Sequence, residues 1–252
     1  MQFKVTHIEE TGSTNRWLRE HGGDEDMAVV ADYQTAGRGS GKNTWESERG
    51  KNLLLSVLWH PHEVQANDQF LVSMAVSLAI EEVIRRQDIG GVTIKWPNDI
   101  YIGDRKVCGM LIENNLKGEL IRNCIIGIGL NVNQCTFVSD APNPTSLSLQ
   151  AQRIFDREDI LQQLLKALAE SLEMVEDKSK HAMLHNAYHK VLYRRGGIYP
   201  FRFEDGVTRN CLVEGVDRYG RLQLSWKERD WRTGAQVEHN RNCEFHTVQF
   251  II

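Results

Sequence analysis

The sequence lacks the features that mark membrane and secreted proteins. Its longest apolar run, Phe70 to Ile80, contains two serines and falls short of the roughly 20 residues needed to span a bilayer. The first residues, Met1 to His7, contain no apolar segment typical of a signal peptide. Five cysteines, without a Cys-x-x-Cys pair, argue against a disulfide framework or a zinc ribbon. These absences predict a soluble, cytoplasmic protein.

The sequence also has no large excess of charge of either sign. Its 30 Lys and Arg residues against 34 Asp and Glu residues give a formal net charge of −4, so nothing demands DNA or an anionic membrane as a partner. The residues before Ser13 leave no room for a DNA-binding module, and we expect neither DNA nor membrane binding. With 41% hydrophobic residues, a chain of 252 residues can bury the core of one or two domains.

Strand and helix patterns alternate along most of the chain, which predicts an α/β (α+β) fold with a mixed sheet and flanking helices. Asn98-Asp99 and Gly103-Asp104 resemble turns. Strands are predicted at 27–31, 52–59, 92–95, 107–113 and 120–132, and helices after Ser13, from Asp68 to Arg86, from Arg157 to Val175 and from Lys180 to Val191.

The pattern changes near Gly196, after which short alternating runs are separated by Asp205-Gly206, Tyr219-Gly220 and Thr233-Gly234. Strands at this spacing predict a small antiparallel barrel. We therefore predict a larger domain over residues 1–195 and a small barrel over residues 196–252.

Three segments contain residues suited to chemistry. The loop from Gln34 to Trp45 combines glycines, whose backbone can approach an anion, with Arg38 and Lys42, yet a solvated loop is an equally good interpretation. It matches neither a Walker loop nor a dinucleotide-binding fingerprint.

The second segment runs from Lys95 to Tyr101 and is followed by Lys106 and Gly109. Pro97 favours an extended or turn conformation at Trp96, so Lys95 and Asp99 would flank a tight bend between strands. A simple β-turn explains Pro97-Asn98-Asp99 equally well, but a lysine in a buried strand indicates a nearby anion or carboxylate.

The third segment, Gly127 to Asn133, has two glycines inside a strand, which indicate either a bulge or a ligand lying against the backbone. Asn131 and Asn133 would then point to one face. His181, His185 and His189 would share a helix face, but no carboxylate or cysteine joins them, so we predict no metal site there.

Together, in this order, the segments resemble the biotin protein ligase family. The resemblance rests on Ser13-Thr14-Asn15, Gln34-x-x-Gly37-Arg38-Gly39, Lys95-Trp96-Pro97-Asn98-Asp99 with Lys106 and Gly109, Gly127-x-Gly129-x-Asn131, and Thr145-Ser146-Leu147. It covers roughly Thr11 to Leu147 strongly and the C-terminal part only in general character. It implies a catalytic domain related to class II aminoacyl-tRNA synthetases and an SH3-like C-terminal barrel.

The resemblance also implies a two-step reaction. Biotin and ATP, with Mg²⁺, would form biotinyl-5′-AMP and pyrophosphate, and biotin would then move to a lysine of the biotin carboxyl carrier domain of acetyl-CoA carboxylase or a related carboxylase. Lys106 and Arg38 would be catalytic, beside the biotin carboxylate. The implied biotin-binding residues are Ser13, Thr14, Asn15, Gln34, Gly37, Arg38, Gly39, Lys106 and Gly109, and the implied nucleotide-binding residues are Trp45, Lys95, Asn98, Asp99 and Asn131.

One stretch departs from the family pattern. Ser40 and Asn43 stand where many members have arginines, which predicts a loop that closes less tightly over the adenylate, with Lys42 a partial substitute. Two alternatives remain. A lipoate or octanoyl ligase would need an Arg-Arg-x-x-Gly-Gly-Gly stretch, which the sequence lacks; a non-catalytic biotin sensor or repressor would not need Lys106 and Asp99. A homodimer is compatible with the sequence, but no motif indicates one.

Overall fold

The fold consists of two β-sheets, one large and mixed, the other smaller and antiparallel. It is described from a computed structural model over residues 1–41, 43–138, 143–230 and 232–252. The large sheet has seven strands in the order β1-β2-β3-β7-β6-β5-β4, of which only β1 and β2 pair in parallel. The second sheet has the order β11-β10-β9-β8-β12, and all its strands pair antiparallel.

The strands of the large sheet are β1 (Lys4–Thr11), β2 (Met27–Gln34), β3 (Leu53–Trp59), β4 (Val92–Lys95), β5 (Asp99–Ile102), β6 (Arg105–Lys117) and β7 (Leu120–Leu130). The helices are α1 (Thr14–His21), α2 (Gln69–Arg85), α3 (Leu147–Ala151), α4 (Arg157–Glu176) and α5 (His181–Lys190). The second sheet comprises β8 (Ile198–Phe203), β9 (Thr208–Val216), β10 (Leu222–Arg229), β11 (Gln236–Cys243) and β12 (Val248–Phe250). Among the helices in the described ranges, none combines the length and apolar character needed to cross a bilayer.

One face of the large sheet forms the main hydrophobic core. Helices α2 and α4 pack against each other over this face, and α2 is apolar around most of its circumference because it lies between the sheet and its neighbouring helices. Leu55 and Val57 from the central strand β3 point into this core. Burial of such side chains supplies the main driving force for folding.

The opposite face carries the small helix α1 and leaves the rest of the sheet open. Leu58 and Ile125 pack with Leu18 of α1 in a separate apolar cluster. Because side chains alternate between faces, the next residues on this face, Ser56 and Gly127, continue the same surface. The open face is therefore lined by small side chains beside the start of α1.

Several sequence-based predictions need correction. Asp99 does not lie in a turn: the turn is Trp96–Asn98, and Asp99 begins the unpredicted strand β5, paired with Lys95. The predicted alternative of a bulge at Gly127 and Gly129 is wrong, because β7 pairs with β3 and β6 in regular register from Ile125 to Leu130. Strand β7 also ends before Asn131, two residues earlier than predicted. Strands β1, β11 and β12 were not predicted.

The smaller sheet confirms the antiparallel strands expected after Gly196, with β11 and β12 as its edges. It packs directly on the larger unit: the Trp96 indole N–H donates to the Gly220 carbonyl oxygen at 2.7 Å, and the Trp96 ring meets that of Phe245 edge-on. The turn between Lys95 and Asp99 is thus held from the side of the C-terminal sheet.

A second contact between the units makes stability dependent on pH. The backbone nitrogen and the carbonyl oxygen of Val216 lie 2.9 Å and 3.0 Å from His189 Nε2. Burial, together with Arg195, lowers the pKa of His189 below that of an unfolded histidine. The folded state therefore binds fewer protons, and its stability is full above about pH 6.5 and decreases as the pH falls through that value. We expect the free energy of unfolding to fall between pH 7 and pH 5, measured by urea denaturation. His189→Gln should flatten that slope; an unchanged slope would contradict this prediction.

Candidate active site

The open face of the large sheet and the edge of the C-terminal sheet enclose a cavity of about 820 Å³. This volume is in the range of small-molecule binding sites. Of the site residues predicted from the sequence, those that line the cavity are Ser13, Thr14, Asn15, Gln34, Arg38, Gly39, Trp45, Lys95, Asn98, Asp99, Lys106 and Gly109. The sequence-based prediction of a single site is consistent with this arrangement.

The start of α1 brings polar groups to one part of the cavity wall. The Gln34 side-chain oxygen accepts from the backbone N–H of Thr14 at 2.8 Å and lies 3.0 Å from the Thr14 hydroxyl. Ser13 is the N-cap residue of α1, but its side chain makes no capping hydrogen bond. The Ser13 hydroxyl is therefore available to a ligand in the cavity.

Beneath this polar group lies Asn15, whose amide is engaged on both sides. Its Nδ2 donates to the Leu111 carbonyl oxygen at 3.2 Å and to Glu113 Oε2 at 2.9 Å, while its Oδ1 accepts from the Ser56 hydroxyl at 2.6 Å. A Cβ at Gly127 would lie 2.3 Å from the same Oδ1. Glycine is required there because the Asn15 amide lies against the strand.

An ion pair forms part of the cavity wall. Lys106 Nζ lies 2.6 Å from Asp99 Oδ1, and both side chains are mostly buried. The pair forms because Asp99 begins β5 opposite Gly109 of β6, where the missing side chain leaves space for Lys106. Removing either partner would leave a poorly solvated charge in the cavity.

Trp45 covers the glycine-lined part of the floor. A Cβ at Gly129 would lie 2.4 Å from Trp45 Cε2, and one at Gly109 would lie 2.9 Å from its Cζ3. Lys106 Nζ lies 5.7 Å from the centroid of the Trp45 ring. The indole nitrogen is buried and makes no hydrogen bond within the described parts of the chain. The ring therefore fills the space above the two glycines.

Lys95 supplies a second, half-buried cation. Its Nζ lies 4.8 Å from the ring centroid of Phe250 and 5.2 Å from that of Tyr101. Burial lowers the pKa of Lys95, and burial raises the pKa of the Tyr101 hydroxyl. An anion bound here would offset the cost of burying the lysine charge.

The glycine-rich loop forms one rim of the cavity. Its two arms meet in a bridge between Arg38 and Thr44, and the Gly39 N–H donates to the Asn43 carbonyl oxygen at 2.8 Å. The Arg38 side chain is exposed at this rim, and Ser40 also lines the cavity. The suggested role of Lys42 lies outside the described residues.

The C-terminal sheet closes the opposite side of the cavity, which the sequence did not indicate. Arg202 of β8, the connection after β11 with Phe245 and His246, and Gln249 and Phe250 of β12 all line the same cavity. These residues follow no motif, and only the packing of the two sheets brings them to the site.

Two predicted site residues do not line the cavity, and a third contributes mainly to the scaffold. Gly37 is buried against the backbone of Trp45, and Asn131 is buried with its Nδ2 donating to the Thr145 carbonyl oxygen at 2.9 Å. Asn98 lines the cavity, but its amide donates to the Met110 carbonyl oxygen at 2.7 Å. Asn133, expected to share a face with Asn131, instead bonds the backbone of Phe155.

The fold is that of solved biotin protein ligase structures. A biotin protein ligase from Aquifex aeolicus in complex with biotin and ATP superposes with a TM-score of 0.75 at 24% identity, covering 95% of this chain and 99% of that one. The enzyme from Leishmania major in complex with biotin gives a TM-score of 0.64 at 22% identity, covering 94% and 98% of the two chains. At these identities the similarity establishes the fold.

The sequence relationship is more direct. The family model for the Biotin/lipoate A/B protein ligase family matches residues 5–131. The chain is 30% identical over 224 residues to the biotin–[acetyl-CoA-carboxylase] ligase of Mycobacterium tuberculosis, which is 86% of this chain and 81% of the relative. The chain belongs to the Biotin/lipoate A/B protein ligase family.

Other relatives are longer than this chain. The bifunctional ligase/repressor BirA of Escherichia coli strain K12 is 33% identical over 169 residues, which is 66% of this chain and 52% of BirA. That of Bacillus subtilis strain 168 is 37% identical over 166 residues, 63% of this chain and 49% of the relative. The chain spans about half the length of these curated relatives.

Proposed function

We propose that this protein is a biotin protein ligase, which adenylates biotin with ATP and transfers the biotinyl group to a lysine of a biotin carboxyl carrier domain. The observation that carries the proposal is that the polar group at Thr14 and Gln34 and the Asp99–Lys106 ion pair line the same cavity. Biotin has the matching shape, with a polar ureido ring at one end and a carboxylate at the other.

The assignment of residues follows the cavity wall. The ureido ring would be held by Ser13, Thr14 and Gln34, with Asn15 beneath them, and the carboxylate would lie near Lys106. Arg38, with Gly37 and Gly39 shaping its loop, would approach the same carboxylate from the rim. Gly109 would let the ligand lie close to the strand.

The nucleotide would occupy the part of the cavity between Trp45 and Lys95. Asp99 would position Lys106, and Asn98 would stabilise the turn before β5. Asn131 would act indirectly, by binding the Thr145 carbonyl oxygen in the segment before α3. The described residues hold no cluster of three or more metal-binding side chains, and Asp99 already pairs with Lys106. We therefore expect Mg²⁺ to enter with ATP, held by phosphate oxygens and water.

The chemistry requires two anions to meet. A carboxylate oxygen of biotin attacks the α-phosphorus of ATP and the bond to pyrophosphate breaks, which leaves the mixed anhydride biotinyl-5′-AMP. The uncharged amine of the carrier lysine then attacks the acyl carbon, AMP leaves, and the amine loses a proton to solvent. Lys106 and Arg38 lower the repulsion in the first step, and positioning supplies much of the rate.

The acceptor and setting follow from the same proposal. The carrier domain of acetyl-CoA carboxylase or a related carboxylase is the expected partner, and the cytoplasm is the expected location. Residues 1–195 would form the catalytic domain, with residues 196–252 as an SH3-like barrel that completes the cavity wall. We propose no contact with DNA, because the net charge is −4 and the matched motifs belong to the ligase reaction.

The test is biotin-dependent exchange of labelled pyrophosphate into ATP, with lipoate as the control acid. We expect exchange with biotin and none above background with lipoate, followed by biotin transfer to a purified carrier domain. Exchange with lipoate alone would assign the protein to the lipoate branch of the family. Tight biotin binding without exchange would make it a sensor and would refute the proposal.

A further inference from the structure

A buried hydrogen-bonded group lies under the proposed ureido end of the cavity and contains two residues that no sequence motif contains. Ser56 of β3 is fully buried, and Glu113 of β6 lies at the edge of the same sheet face. Neither side chain lines the cavity. Both contact Asn15, which in turn is hydrogen-bonded through Ser56 to Thr14.

The direction of each hydrogen bond follows from which atoms can donate. The side-chain oxygen of Asn15 can only accept, so the single hydroxyl hydrogen of Ser56 is used at that 2.6 Å contact. The 2.7 Å contact between Ser56 and Thr14 is then a hydrogen bond only if the Thr14 hydroxyl donates it. The other acceptor near Thr14, the Gln34 oxygen, already receives the Thr14 backbone N–H.

The Thr14 hydroxyl oxygen is therefore left with lone pairs toward the cavity. Its hydrogen lies between Ser56 and Gln34, whichever of the two accepts it, so it cannot donate to a ligand. The group of the ligand that meets Thr14 must be a donor. An N–H of a ureido ring fits this requirement, whereas the dithiolane ring of lipoate has no donor.

Glu113 fixes the other end of the group. Its Oε2 accepts from Asn15 Nδ2 at 2.9 Å, and its Oε1 accepts from Arg19 at 2.8 Å. With the Leu111 carbonyl as second acceptor, both amide hydrogens of Asn15 are used. This prevents the Asn15 amide from flipping. A flipped amide would present its NH₂ group to Ser56, so that Ser56 would accept from Asn15 and could donate to Thr14.

We propose that Ser56 and Glu113 are positioning residues that, through Asn15, set Thr14 as a hydrogen-bond acceptor and so select a ligand with ureido N–H donors. The inference rests on the proposed function and extends it to ligand specificity. It also changes the role expected for Asn15, whose amide serves the protein rather than the ligand.

The test compares Ser56→Ala and Glu113→Ala with the wild type by calorimetric binding of biotin and by KM in the exchange assay. The loss of one neutral hydrogen bond predicts about 3- to 10-fold weaker biotin binding for each variant. KM for ATP should be unchanged, because Ser56 and Glu113 are linked to Asn15 and Thr14 and to none of the residues assigned to the nucleotide. Glu113→Gln keeps a carbonyl acceptor for Asn15 and should bind biotin within about twofold of the wild type.

Two controls separate positioning from general damage. Ser77→Ala removes another fully buried hydroxyl, in α2, which donates to the Ser73 carbonyl oxygen, and biotin affinity should not change. Arg19→Ala removes the exposed partner of Glu113 and should have little effect on biotin affinity.

Three results would overturn the inference. The first is normal biotin affinity in both Ser56→Ala and Glu113→Ala. The others are equal changes in KM for biotin and ATP, and a Glu113→Gln variant as weak as Glu113→Ala. Absence of biotin binding in the wild type would instead refute the proposed function, and the inference with it.

Discussion

Lys106→Ala should lower biotin-dependent ATP–pyrophosphate exchange by about a hundredfold or more. The substitution removes a cation from the place where two anions must meet, an effect of the size found when one electrostatic contact to a transition state is deleted. It also leaves the Asp99 carboxylate, previously 2.6 Å from Lys106 Nζ, to repel the incoming ligand. Both effects act in the same direction.

A double variant separates the loss of the cation from the repulsion by Asp99. Lys106→Ala with Asp99→Asn removes the repelling carboxylate and should recover part of the biotin affinity, but little of the exchange rate. Lys117→Ala, an exposed lysine at the far end of the same strand, is the matched control and should exchange at the wild-type rate. Exchange by Lys106→Ala within threefold of the wild type would exclude the proposed role of the lysine.

Gly127→Ala should disrupt the biotin end of the cavity. The added Cβ would lie 2.3 Å from Asn15 Oδ1, and Asn15 cannot yield without breaking its bonds to Ser56, Leu111 or Glu113. Overpacking of this kind costs about 1–3 kcal/mol of stability. A displaced Asn15 would also shift Thr14, so we expect biotin binding to weaken more than tenfold, because small misplacements have large effects on ligand geometry.

Urea denaturation and calorimetric biotin titration measure the two effects of Gly127→Ala separately. Gly23→Ala is the control, since a Cβ at that position meets nothing within 4 Å. Gly129→Ala would instead press on Trp45, which lies on a loop, so its loss of stability should be smaller. Biotin affinity in Gly127→Ala equal to that of Gly23→Ala would show that the close contact with Asn15 does not matter.

The sequence predicted the parts of the site that lie in short motifs. Lys95 and Asp99 flank a turn because Pro97 lies between them, and this local rule gave the correct pairing. Gly127 and Gly129 were predicted to mark a bulge or a ligand lying against the backbone, whereas in the structure the side chains of Asn15 and Trp45 fill that space. Those contacts join strand β7 to segments far away in the chain.

Residues without a motif were not found, for the same reason. Ser56 lies in an apolar strand, and no sequence motif marks this serine as functional. Its role is visible only in the structure, where β3 lies beneath α1 and Ser56 contacts Thr14. The predicted C-terminal end of β7 was two residues too late. The backbone and side-chain amide of Asn131 form hydrogen bonds with other segments instead of continuing the pairing of β7. Strand β1 was missed since its exposed and half-buried residues show no clean alternation.

The position of Phe250 has a consequence for any attempt to shorten the protein. Residues from the C-terminal sheet, Phe245 and Phe250 among them, form one wall of the cavity, and the Phe250 ring lies against Lys95. A fragment ending at residue 195 would keep every motif on which the family resemblance rests and would lack one wall of the cavity. The unit that the family model matches, residues 5–131, would then differ from the unit that forms the cavity, and a shortened ligase designed on the proposed function would need to retain the C-terminal sheet.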